Sequence, residues 1–143
     1  MIQAATLSRW EPRALAVLRI VTALMFISHA VVKLSGFPAG AAPGQQDLTS
    51  LFGIAGVIEL FLGVLILVGF YTRAAAFLAS GEMAIAYWWT HAPQSPYPVL
   101  NHGEIAILFC FTFLYLAFSG PGAWSFDERG RSGGVRGPTH DGV

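Results

Sequence analysis

Stretches of this sequence that are otherwise apolar contain histidine, lysine, arginine and glutamate, the side chains that move protons and orient polar ligands. Residues 14–34 hold Arg19, His29 and Lys33, and residues 51–71 hold Glu59. Residues 74–89 hold Glu82, and residues 103–118 open with Glu104 just after His102. A charge at mid-bilayer depth costs at least ~2.5 kcal/mol, so such groups normally face a partner or a cavity. At ~100° per residue, Arg19, His29 and Lys33 fall within an arc of about 80° on one helix and form a basic stripe facing inward.

Depth sorts these groups into two layers. At 1.5 Å per residue, Arg19 lies ~9 Å and Glu82 ~13 Å from the inner ends of their spans, which predicts an Arg19–Glu82 ion pair. Glu59 lies ~12 Å below the outer surface and His29 ~6 Å below Lys33, with His102 and Glu104 starting the last span at that surface. This predicts an outer ligand pocket built from His29, Lys33, Glu59, His102 and Glu104 and edged by Trp88 and Trp89. Each residue also has a purely structural role open to it. Ion pairs fix helix register, a lone histidine satisfies an interior, and a lysine snorkels to the headgroups.

The elements that must carry these residues are helices in a membrane. Hydrophobic residues make up 55% of the chain and charged residues only 11%, against roughly 25% charged in a soluble domain. The apolar stretches approach the ~20 residues that cross a bilayer. Runs such as LFLGVLILV (60–68) and AILFCFTFL (106–114) have no polar face to turn to water. The expectation is an all-α integral membrane four-helix bundle, antiparallel and up-down-up-down, over residues 1–127. Residues 128–143, Gly-rich and polar, read as a disordered cytoplasmic tail. Residues 1–11 form an amphipathic lead, Pro12 begins the first helix, and Pro93, Pro96 and Pro98 exclude a helix from 91–102.

Arg9, Arg13, Arg73, Arg129, Arg131 and Arg136 all fall on one side of this scheme, which places both termini in the cytoplasm of a bacterial-type inner membrane. The first span is too long and too interrupted by charge for a cleaved signal peptide. The lone cysteine of the chain, Cys110 in the fourth span, excludes an internal disulfide or a Cys-x-x-Cys relay. No helix offers the Glu-x-x-His or His-x-x-x-His spacing of a metal site, and a haem between two of His29, His91 and His102 has no motif behind it. Nothing in the charge pattern points to nucleic acid, and no phosphate loop or dinucleotide fingerprint is present.

Taken in order, Leu18-Arg19-Ile20, His29, Lys33-Leu34, Glu59 with Gly63, Gly69 and Thr72-Arg73, Glu104, Gly120-Pro121-Gly122 and Ser125-Phe126-Asp127 resemble the DoxX family of small four-helix membrane proteins. The resemblance runs from about Leu18 to Asp127. It implies a membrane protein related to a quinone-oxidoreductase subunit or to membrane partners of redox enzymes. Three functions follow from the residues and the resemblance together. The chain is a quinone-binding redox subunit or oxidoreductase partner, a non-catalytic scaffold for such an enzyme, or a small-molecule or proton transporter that would need to form a homo-oligomer. Whether the chain itself catalyses a reaction stays open at this level.

Overall fold

The computed structural model describes residues 4–132. Among them, six helices form and no strand: α1 (Ala4–Ser35), α2 (Leu51–Val68), α3 (Thr72–Ala86), α4 (Pro98–Asn101), α5 (Glu104–Ser119) and α6 (Phe126–Ser132). A π-helical turn, Tyr87–His91, extends α3.

Helix α1 starts well before the expected boundary and runs straight through Pro12. Alanine, leucine, glutamate and arginine on either side are good helix formers, so the one backbone bond that proline removes does not end the helix. The carbonyl of Pro12 is used elsewhere, accepting from the amide of Ala123 at 2.8 Å. Ser50 caps α2 by accepting from the Gly53 amide at 3.0 Å. The proline-rich connection is not free of helix, contrary to expectation: Pro98 starts the single turn α4, in the position where its fixed φ suits a helix. The segment expected to be a tail from residue 128 begins instead within α6, and residues 133–143 lie outside the described residues.

Packing follows residue size. Helix α1 lies along α2, α3 lies along α5, and α2 meets α3 beyond their tight turn. A Cβ added at Gly63 would stand 2.6 Å from Ile27 Cγ1, so this glycine lets α1 and α2 approach closely. Ala75, Ala76 and Ala79 on α3 leave room for the rings of Phe109 and Phe113 on α5. Phe26 from α1 completes that aromatic cluster, its ring 4.8 Å from Phe113 and edge-on.

The outer faces are apolar. Val17, Val21, Leu24 and Met25 on α1, Ile54, Val57 and Phe61 on α2, Phe77 and Leu78 on α3, and Leu108, Phe111 and Phe118 on α5 are all exposed. Such continuous apolar surface is far more than water tolerates, and it is the surface a lipid-embedded protein presents. By length and composition, 7–35 and 51–68 are able to cross a membrane, and α5 is a shorter apolar helix.

Candidate functional site

Lys33 and Glu59 meet as an ion pair between α1 and α2, with Lys33 Nζ donating to Glu59 Oε1. The side chains are 13% and 2% exposed. A glycine makes this meeting possible: a Cβ at Gly56 would stand 3.0 Å from Lys33 Cβ, so the lysine stem lies across Gly56 and reaches Glu59 one turn further on. The second carboxylate oxygen of Glu59, Oε2, is buried and receives no hydrogen bond among the described residues.

A cavity of about 340 Å³ opens beside this pair. His29, one turn before Lys33, borders it with its ring edge-on to Phe109 at 5.8 Å. Phe26, Phe52, Phe109 and Met83 supply apolar walls, and His102 stands exposed at the rim in a left-handed conformation with φ of 56°. Four of the residues expected in an outer pocket therefore border one space: His29, Lys33, Glu59 and His102. The other three do not. Trp88 and Trp89 are turned outward on the π turn, and Glu104 is exposed in the first turn of α5. His91 and Thr90 take the lining positions instead, because the wider turn rotates the tryptophans away. The sequence carried a faint signal for this in a histidine at the end of an aromatic run.

The expected Arg19–Glu82 pair does not form. Arg19 is fully buried, and its Nη2 donates to the carbonyls of Trp124 at 3.0 Å and Ala123 at 3.5 Å. Both oxygens of Glu82 are buried without a hydrogen-bond partner among the described residues, within electrostatic range of Glu59 and Lys33. The reason is depth. Glu59 lies ten residues before Gly69 and Glu82 ten residues after Thr72, so the α2–α3 hairpin brings the two carboxylates level. Arg19 instead packs against Gly69 at the turn of that hairpin. Helix α1 begins ten residues before its apolar stretch, so neither start marks the level of the α2–α3 turn, and Arg19 lies level with Gly69 rather than with Glu82.

At that end, residues 120–128 fold back as a strap. Asp127 Oδ1 and Oδ2 accept from the Tyr71 and Thr72 amides, each at 2.9 Å, and cap an α3 that has no capping side chain of its own. Desolvation pushes the Asp127 carboxyl up, but the Thr72 and Tyr71 hydrogen bonds and the charge of Arg19 outweigh it and hold it below the usual carboxylate range. The Asp127 amide donates to Gly69 O at 3.0 Å. Arg73 donates to the Ala117 and Phe118 carbonyls at the end of α5. A hollow of about 450 Å³ lies beside the strap, but the Arg73 and Asp127 groups bordering it are committed to these contacts.

An all-helical protein with a lipid-facing exterior, a buried lysine–glutamate pair beside a cavity and a strapped end is a small integral membrane protein. The profile of the DoxX family matches residues 14–92, and the chain belongs to that family. It is 40% identical over 127 residues to an uncharacterized protein of Haemophilus influenzae, covering 86% of this chain and 95% of that one. The inner membrane protein YphA of Escherichia coli is 30% identical over 130 residues, 83% of this chain and 91% of its own. An uncharacterized membrane protein of Mycobacterium tuberculosis is 24% identical over 144 residues, with 82% of each chain covered. No solved structure matches the chain.

Proposed function

We propose that α1, α2, α3 with its π turn, and α5 cross the membrane as an antiparallel four-helix bundle whose outer half holds an amphipathic ring molecule of the quinone class. On this reading the chain serves as the membrane partner of an oxidoreductase, binding and orienting the ring while the partner supplies the electrons. One observation carries the proposal: the cavity beside Lys33 and Glu59 has a buried carboxylate oxygen that no hydrogen bond satisfies among the described residues. A buried acceptor without a donor costs ~1–3 kcal/mol, and a water or the hydroxyl of a bound quinol, the reduced member of the quinone class, removes that cost. The cavity's volume is in the range of small-molecule sites, and Phe26, Phe52 and Phe109 give a flat ring surfaces to pack on.

The orientation that goes with this is cytoplasmic termini. Arg73 lies at the strapped end, and Arg9 and Arg13 flank the Pro12 carbonyl that holds Ala123 there. The positive-inside rule puts that end in the cytoplasm and the cavity in the outer half. A scaffold without a ligand is the second reading, favoured by one observation: Arg19, Gly69, Arg73 and Asp127, which carry much of the family resemblance, are committed to closing the strapped end. Calorimetric titration of the detergent-solubilised protein with a short-chain quinone and its quinol separates the two. Saturable binding of either that Glu59→Gln weakens supports the first, and absence of binding by both supports the scaffold.

A further inference from the structure

Helix α3 widens at its outer end into the π turn Tyr87–His91, a rare form that is frequent at functional sites. The turn brings His91 to the cavity wall. His91 Nδ1 lies 2.8 Å from the backbone carbonyl of Asn101. A carbonyl oxygen only accepts, so Nδ1 bears the proton, and in the neutral ring Nε2 keeps a bare lone pair. The carbonyl is held in place by a hydrogen-bonded loop. Asn101 is fully buried, its Nδ2 donates to Ser95 O at 2.7 Å, and its Oδ1 accepts from the Gly103 amide at 2.8 Å. The imidazole also lies nearly parallel to the Tyr87 ring, with the ring centres 6.5 Å apart. Among the described residues, no hydrogen bond engages Nε2.

We infer that His91 selects the ligand: its Nε2 is a fixed acceptor, and the occupant of the cavity presents a ring hydroxyl to it. The inference rests on the cavity being a ligand site, and it narrows the class. A quinone offers only acceptor oxygens, whereas a phenol or quinol offers the donor that Nε2 requires. Lys33, which can only donate, suits an acceptor oxygen elsewhere on the same ligand. The preferred occupant is therefore the hydroxyl-bearing, reduced member of the class.

Two measurements test this, the first without any ligand. Nitrogen-15 shifts of labelled histidine, assigned with His91→Gln and recorded at mildly alkaline pH, should show His91 protonated at Nδ1 and bare at Nε2. The opposite tautomer overturns the inference. The second compares para-decylphenol with its methyl ether, para-decylanisole, by calorimetric titration. The wild type should bind the phenol at least about tenfold more tightly, and in His91→Phe the two should bind within about twofold of each other. Equal binding of the two by the wild type, or a preference that survives in His91→Phe and His91→Gln, overturns the role of His91 while leaving the cavity a binding site. Binding of neither compound overturns both.

Discussion

Replacing Gly69 by alanine should unlatch the strapped end. Gly69 ends α2 with φ of 73° and ψ of 42°, a left-handed conformation that costs an L-residue about 1–2 kcal/mol. The new methyl would overlap Arg19 Nη1 and Ser125 Cβ and stand 2.9 Å from Ser125 Cα. Neither neighbour gives way cheaply, because Arg19 is fully buried, Ser125 is 3% exposed, and the strap is pinned by the Asp127 amide on Gly69 O. If the strap lifts, Arg19 loses its charge-assisted bond to Trp124 O, worth about 1.5–3 kcal/mol, and α3 loses a cap worth about 1 kcal/mol. The expected total is about 3.5–6 kcal/mol, a large share of a stability that is ~5–15 kcal/mol for a typical protein. Equilibrium unfolding in mixed detergent would give the energy. Maleimide labelling of Ser125→Cys, in a Cys110→Ala background, would report whether the strap has lifted. Gly81→Ala is the control, since nothing lies within 4 Å of an added methyl there and alanine favours the helix. A loss below about 1 kcal/mol for Gly69→Ala, with Ser125→Cys still protected, would refute the strap as a structural element.

Other outcomes follow from the same contacts. Lys33→Met and Glu59→Leu should each destabilise by about 3 kcal/mol and the double change by clearly less than their sum, a double-mutant cycle that additive losses would contradict. Arg19→Met and Glu82→Gln should be additive within about 0.5 kcal/mol, because the two residues do not touch. Asp127 is held below its ordinary range, so its stabilisation is present above the unfolded value of ~4 and lost as pH falls through the folded value. Wild type and Asp127→Asn should thus differ in Tm at neutral pH and converge in strong acid. Cysteines at Gln45 and Ser95, in the Cys110→Ala background, should label from outside intact cells, and protection of both would reverse the orientation.

The helices were legible because long apolar runs broken by Gly, Pro and Ser leave few alternatives, as at Ser50 before α2 and Gly69 after it. The Lys33, His29 and Glu59 cluster was legible because helical periodicity places the basic residues on one face, and depth sets Glu59 level with them. Pairing across helices was not. Arg19 matched Glu82 in charge and apparent depth, but the true partners of Arg19 are main-chain carbonyls of a strap more than a hundred residues away, which side-chain counting does not see. The outward tryptophans were missed for a related reason, since a π turn shifts facing by a fraction of a turn without a distinctive composition. The strap itself was foreshadowed only by the resemblance, which singled out Gly120, Gly122, Ser125 and Asp127 without saying what they contact.

The central claim is that the cavity beside Lys33 and Glu59 holds a ligand, and direct titration tests it most simply. Purified protein in detergent, titrated calorimetrically with a short-chain quinone and its quinol, should give one saturable site for at least one of them. His29→Leu and Glu59→Gln should each weaken it by about tenfold or more, the loss of one charged or buried hydrogen bond, while Gly81→Ala leaves it unchanged. No saturable binding of either compound, or affinities that ignore His29 and Glu59, would contradict the claim and leave the chain a membrane scaffold.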